Sequence, residues 1–94
     1  MANDPEGTIP RRHPNAVFRV VEGQGVVVLP GVGEVQVLNP VGARIWELLD
    51  GTRSATEIAG IVAREFEVPE VTATADTLEF IETLREQKML VGGS

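Results

Sequence analysis

Cysteine is absent from this 94-residue chain, and histidine occurs once, as His13. Without cysteine the chain can form no disulfide, no thiolate nucleophile, no iron–sulfur cluster and no cysteine-ligated zinc site. A Ser-His-Asp triad would have to use a histidine that lies beside a proline in the N-terminal segment. These shortages argue against catalysis and metal binding, so we expect neither an enzymatic activity nor a cofactor.

Long apolar runs and excess positive charge are also missing. No apolar segment approaches the length of a membrane span, and the N-terminus lacks the apolar core of a signal peptide. The net charge is −6, and all of the excess lies in residues 47–94, which carry ten acids against four bases. Acidic surfaces disfavour nucleic acids and anionic membranes. We expect a cytoplasmic protein with no nucleic-acid or membrane partner.

The composition is that of one globular domain, with 43% apolar and 23% charged residues. Residues 1–15 combine prolines, a glycine and polar residues, which predicts a flexible N-terminal tail. The folded domain is expected to occupy residues 16–91. Residues 92–94, with the sequence GGS, are expected to form a flexible C-terminus.

The first half of the domain contains β-branched runs interrupted by glycine. Runs of this kind predict three antiparallel strands at about 16–21, 26–29 and 34–38. Gly23 and Gly25 are expected to supply the positive φ angles of the first turn. In the third strand the valines should face one side of the sheet and the remaining residues the other.

The second half is predicted to be helical. Its start and stop signals are an Asn-Pro helix start, a Ser-Ala-Thr-Glu capping box and a helix-breaking proline. The predicted helices run from Asn39-Pro40 to Asp50-Gly51, from Ser54 to Pro69, and from Glu70 to about Gln87. The fold class is therefore α+β, a three-stranded antiparallel sheet followed by three helices.

The third predicted helix has an apolar arc of roughly 160°, which is wider than a core-facing stripe needs. We expect one edge of this arc to pack inward and the other to line a groove. Thr77, Phe80 and Leu84 are assigned to the core. The alternative is a helix that is simply well buried in a small domain.

The third strand is predicted to lie at the edge of the sheet, with unpaired main-chain donors and acceptors. An extended peptide can add to such an edge as a further strand. Pairing of the same edge in a homodimer is an alternative.

The segment VLNPVGARIWELLDG at residues 37–51, followed by TEIA at 56–59, resembles the PqqD-like family. That family carries an LN-x-x-G-x-x-IW-x-LLDG run before its second helix, and Met89-Leu90-Val91 is similar to its terminal GLV segment. The resemblance implies a winged helix-turn-helix-like fold that recognises ribosomally made, modified peptides. Such proteins bind a precursor's leader peptide between the third strand and the third helix. They present it to a modifying enzyme, often a radical-SAM enzyme, in PQQ biosynthesis or a related pathway.

Carried onto this chain, the resemblance implies a site at residues 34–38 and on one face of 74–85. The peptide-binding residues predicted in this way are Glu34, Val35, Gln36, Val37, Leu38, Thr74, Leu78, Ile81 and Arg85. The strand would supply main-chain hydrogen bonds. Leu78 and Ile81 would supply apolar contacts, and Arg85 would pair with a carboxylate of the leader.

A winged-helix DNA-binding regulator is the alternative function, because it uses the same order of elements. Its recognition helix should bring lysine and arginine to the DNA groove. Residues 54–67 offer Arg64 against three glutamates, and residues 70–88 offer two bases against five acids. The charge pattern therefore favours the peptide-binding hypothesis.

Overall fold

The computed structural model describes residues 9–31 and 33–91. It confirms the predicted fold class and adds a small second sheet that the sequence did not predict. The elements in chain order are β1 (Arg11–Arg12), β2 (Val17–Val21), β3 (Gln24–Leu29), β4 (Glu34–Leu38), α1 (Pro40–Leu48), α2 (Ala55–Phe66), α3 (Glu70–Glu86) and β5 (Leu90–Val91).

Strands β2, β3 and β4 form an antiparallel sheet in that order. Glu22 and Gly23 form the two-residue turn between β2 and β3, with φ angles of 52° and 83°. Two successive positive φ angles are typical of a type I′ turn, whose twist matches that of the strands. The prediction that Gly25 belongs to this turn is wrong. Gly25 lies within β3, where a Cβ atom would come within 2.9 Å of the Phe18 ring.

The predicted helix starts are confirmed at atomic detail. The Asn39 side chain caps α1 by accepting a hydrogen bond from the Gly42 amide at 2.7 Å. At α2 the Glu57 amide donates to Ser54 Oγ at 3.2 Å, and the Ser54 amide donates to Glu57 Oε1 at 2.8 Å. This reciprocal pair is the capping box that the sequence indicated. The C-cap of α2 is Glu67, which adopts a left-handed conformation that the sequence did not signal.

The core lies between the inner face of the sheet and the three helices, and α3 packs mainly along α2. Trp46 of α1 is 4% exposed and belongs to this core. The largest fully buried apolar side chains are Val27, Ile45, Leu49, Ile58, Val62, Leu84 and Met89. Each contributes about 1.5–3 kcal/mol of transfer free energy, so the helices are held mainly by apolar burial.

The N-terminal segment is more ordered than the sequence predicted. The expectation of irregular structure throughout residues 1–15 is wrong for Arg11 and Arg12, which pair with Val91 and Leu90 as β1 and β5. The Arg12 amide also donates to the Leu49 carbonyl at 3.0 Å. A local sequence pattern could not reveal this strand because its partners lie far away in the chain. Residues 1–8 and 92–94 of the predicted tails lie outside the described residues.

Candidate functional site

Strand β4 has one edge paired with β3 and one edge that no described strand covers. The type I′ turn makes Val21 and Gln24 a hydrogen-bonded pair, and bonded and non-bonded pairs alternate along an antiparallel ladder. In β3, Val26 and Val28 therefore direct their main-chain groups towards β2. Their partners in β4, Val37 and Val35, form non-bonded pairs with β3, so their N–H and C=O groups point away from it. Four main-chain polar groups therefore lie at the open edge.

The open edge of β4 lacks several of the devices that protect sheet edges. The strand contains no proline, no lysine and no bulge. At this edge the Val37 carbonyl accepts a hydrogen bond from a side chain of the same strand, because Gln36 Nε2 donates to it at 3.4 Å. The side chains of Val35 and Val37 are 53% and 54% exposed on the outer face, while Leu38 is buried on the inner face. This alternation confirms the predicted orientation of the strand.

A groove of about 330 Å³ lies beside the end of β4 and is open to solvent. We call it the β4–α3 groove. One wall consists of Gln36 and the helix cap Asn39, and the floor is formed by Val41, Gly42 and Ile45 of α1. The floor is therefore apolar, and the strand wall is polar and uncharged.

The opposite wall of the β4–α3 groove belongs to α3. It consists of Asp76, Glu79, Phe80 and Thr83, whose spacing places them on one side of the helix. The Phe80 ring lies against α1 at Gly42, where a Cβ atom would come within 3.3 Å of the Phe80 ring. The lack of a side chain at Gly42 therefore lets this aromatic ring approach the floor of the groove.

The charges of the groove are negative and unpaired. Neither Asp76 nor Glu79 has a basic partner among the described residues. Between α1 and α2, by contrast, Arg44 donates to Glu65 through Nε at 2.8 Å and through Nη2 at 2.9 Å. These hydrogen bonds hold the pKa of the Glu65 carboxyl below its ordinary value. Asp76 and Glu79 on the groove wall have no such partner among the described residues.

The structure brings part of the predicted strand segment to the groove. Gln36 lines the groove, and Val35 and Val37 present their main chain at the open edge. Glu34 is half-buried beside β3, and Leu38 is buried in the core.

The four predicted residues of α3 do not line the groove. Ile81 is only 4% exposed and belongs to the core, and Leu78 packs against that core. Thr74 and Arg85 are half-buried away from the groove wall. Because no ligand is bound, their roles in binding stay predictions.

The groove lies on a different part of the α3 surface from the one that the sequence predicted. Phe80, which was assigned to the core, is half-buried and lines the groove, whereas Thr77 and Leu84 are buried as predicted. An apolar arc could not reveal the other three wall residues, because Asp76, Glu79 and Thr83 are polar. Their signal in the sequence is the helical spacing around Phe80.

The described residues contain neither a candidate membrane-spanning helix nor a candidate metal cluster. No helix there is long and apolar enough to cross a membrane. No group of three or more histidine, aspartate or glutamate side chains there is arranged to hold a metal ion. What the described surface does offer is an open strand edge beside a groove.

A family model described as coenzyme PQQ synthesis protein D (PqqD) matches residues 24–90, which is more than half of the chain. The chain belongs to the PqqD family. The match includes β3, β4 and all three helices, so the PqqD family assignment covers both the open edge and the β4–α3 groove. No curated protein matches the sequence.

Solved structures similar to this PqqD-family chain include two leader-peptide complexes. TbiB1 in complex with the TbiA(beta) leader peptide is 25% identical, with a TM-score of 0.77 over 89% of this chain and 98% of that one. A lasso peptide synthetase B1 complexed with its leader peptide is 24% identical, with a TM-score of 0.76 over 88% and 98% of the two chains. The latter similarity shows the fold alone.

A third similar structure is a solution NMR structure from Methylobacterium extorquens. It is the PqqD truncation of PqqCD, described as a functional, stand-alone recognition element for ribosomally synthesized and post-translationally modified peptides. It is 21% identical, with a TM-score of 0.76 over 96% of this chain and 95% of that one, and again shows the fold. The resemblance to the PqqD-like family noted in the sequence is confirmed.

Proposed function

We propose that this chain is a non-enzymatic recognition domain that binds the leader of a ribosomally made precursor peptide. The observation that carries the proposal is the unprotected edge of β4 beside the β4–α3 groove. Membership of the PqqD family supports it, as does the similarity to TbiB1, whose structure contains a leader peptide.

In the proposed complex the leader adds to β4 as a fourth strand. Its main chain exchanges hydrogen bonds with Val35 and Val37, and the Gln36 carboxamide gives up the Val37 carbonyl to the peptide. Alternate leader side chains enter the groove, where Phe80 and Ile45 offer apolar contact. Ile81 then acts indirectly, by holding α3 in place from within the core.

The proposed role downstream of binding is presentation of the leader to a modifying enzyme. A radical-SAM enzyme is our first candidate, because the family description refers to PQQ synthesis. The groove contains no histidine and no activated nucleophile, so the residues that line it suit non-covalent recognition. The reaction itself would take place on the partner enzyme, which acts on a peptide held by this domain.

The charge of α2 disfavours the alternative function of DNA binding. In a winged-helix regulator an α2-like helix would enter the DNA groove. Its exposed charged residues here are Arg64, Glu57 and Glu65, and the last of these already pairs with Arg44. An acidic helix surface would be repelled by phosphates.

Titration of isotope-labelled protein with a precursor peptide encoded in the same gene cluster tests the proposal. We expect amide shifts at Val35, Val37 and residues 76–83. The matched control is the same peptide N-methylated at the residues that face β4, because N-methylation removes the donors needed for strand addition. N-methylation at the alternate residues should leave binding intact. Shifts confined to other surfaces, or no loss on N-methylation, would contradict strand addition.

A homodimer that pairs two β4 edges would compete with the peptide. Light scattering across a range of protein concentrations, with and without the precursor peptide, separates the two states. We expect a monomer that stays monomeric when the peptide binds.

A further inference from the structure

The groove proposed as the peptide site has an uncompensated negative wall. Asp76 and Glu79 face it from α3, and its other described lining residues are uncharged. No arginine or lysine pairs with either carboxylate within residues 9–31 and 33–91. A wall of this kind repels anionic side chains and attracts cationic ones.

The same groove has an apolar floor close to these carboxylates. Val41 and Ile45 line it from α1, and the Phe80 ring of α3 lies against Gly42 between them in sequence. A strand added to β4 directs every second side chain to this side of the sheet, with neighbouring inward side chains about 7 Å apart. Two successive inward positions of a bound peptide would therefore meet the apolar floor and the acidic wall.

We infer that the β4–α3 groove selects a peptide segment in which a bulky apolar side chain and a lysine or arginine lie two residues apart. The inference rests on the proposed function and names its substrate class. The apolar side chain packs on Phe80, and the cation meets Asp76 or Glu79. An acidic residue at the cationic position is disfavoured. This preference is opposite in sign to the one expected from sequence, in which Arg85 would pair with a leader carboxylate.

A display library of random peptides of about twelve residues tests this inference, since that length exceeds the segment that β4 can pair. Selection on the wild-type protein should enrich lysine and arginine at a spacing of two from a bulky apolar residue. In the selected peptides, replacement of the enriched lysine by glutamine should weaken binding about threefold, and replacement by glutamate about tenfold.

Two double variants identify the carboxylates responsible. Asp76→Asn with Glu79→Gln removes the charge of the groove wall and should abolish the enrichment of basic residues. Glu70→Gln with Glu82→Gln changes the net charge by the same amount on exposed positions of α3 outside the groove, and should leave the enrichment unchanged. Equal enrichment on the wild-type protein and the groove variant would overturn the inference, as would loss of enrichment in both variants.

The outcomes separate this inference from the proposed function. Selected peptides that shift the amides of Val35 and Val37 but show no basic preference would overturn the inference and leave strand addition standing. If the library yields no peptide that shifts these amides, both are overturned. Circular dichroism of the two variants shows whether each remains folded, and α3 should keep its helical signal in both.

Discussion

The guanidinium group of Arg12 donates from Nη1 to the main-chain carbonyl of Trp46 at 3.0 Å, and to that of Glu47 at 3.1 Å. Helix α1 has no basic residue in its last turn, so its final carbonyls have no local cationic partner. The Arg12 side chain of β1, more than thirty residues earlier in the chain, supplies the cationic partner. The contact links the N-terminal strand to the helix that forms the floor of the groove.

Replacement of Arg12 by alanine should lower the free energy of unfolding by about 1–2 kcal/mol, because two carbonyls lose a charged donor. Urea denaturation monitored by Trp46 fluorescence measures the change. Arg19→Ala is the matched control, since Arg19 is exposed on β2 and should change stability by less than about 0.5 kcal/mol. Equal effects of the two substitutions would contradict the structural role of Arg12.

Replacement of Gly42 by alanine should separate stability from binding. Alanine favours a helix by about 1 kcal/mol over glycine, but its Cβ would lie 3.3 Å from the Phe80 ring and from Asn39 Oδ1. These effects oppose each other, so we expect stability to change by less than about 1 kcal/mol. The ring must move towards the groove, and peptide affinity should fall. Denaturation and peptide titration measure the two quantities.

Gly60→Ala is the control for Gly42→Ala. Gly60 lies in α2, and a Cβ there would meet only the end of the Arg64 side chain, at 3.7 Å. This substitution should stabilise the protein by up to about 1 kcal/mol and leave peptide affinity unchanged. A loss of affinity in Gly60→Ala would show that helix rigidity, and not the position of Phe80, controls binding.

Proline substitutions in β4 should show which edge binds the peptide. Val35→Pro removes an N–H that points away from β3, so the ladder is kept and stability should fall by only about 1 kcal/mol. Peptide affinity should fall at least about tenfold, because the edge loses a donor and gains a bulky ring. Gln36→Pro instead removes a ladder donor and should cost about 3 kcal/mol or more. Denaturation midpoints and peptide titrations of both variants test this assignment, and unchanged binding by Val35→Pro would refute it.

Acidification should weaken the ion pair between Arg44 of α1 and Glu65 of α2. Arg44 lowers the pKa of the Glu65 carboxyl from its ordinary value of 4.5, so the ionised form is favoured in the folded state. The resulting stabilisation is complete above that ordinary value and is lost as the pH falls through the lowered pKa. Urea denaturation of the wild type and Glu65→Gln between about pH 7 and pH 3 should show a stability difference that shrinks below about pH 5. A Glu82→Gln control, whose carboxylate has no basic partner among the described residues, should show no such convergence.

The sequence predicted most of the architecture because its signals are local. The Asn39 cap, the capping box at Ser54 and the alternation of valines in β4 depend on neighbours within a few residues, and all three are present. The pairing of β1 with β5 could not be predicted in this way, since an arginine dipeptide has no strand pattern of its own.

The candidate site was predicted less well than the fold. The strand segment was found because an edge strand can be inferred from strand order. The wall contributed by α3 depends on how the helix is rotated against α2, and its arc offered apolar residues on both sides. Burial of Ile81 and Leu84 fixes that rotation and turns Phe80 towards Gly42. This rotation depends on contacts that exist only in the assembled core, so the sequence of the helix alone could not predict it.

The pairing of β1 with β5 places the segments that enter and leave the domain side by side, with Arg11 opposite Val91. A linker attached at either segment therefore starts from nearly the same point, and a tethered enzyme would sample the same region of the surface from either one. The domain can in consequence be inserted as a cassette into an exposed loop of a host protein without separating the two halves of that loop.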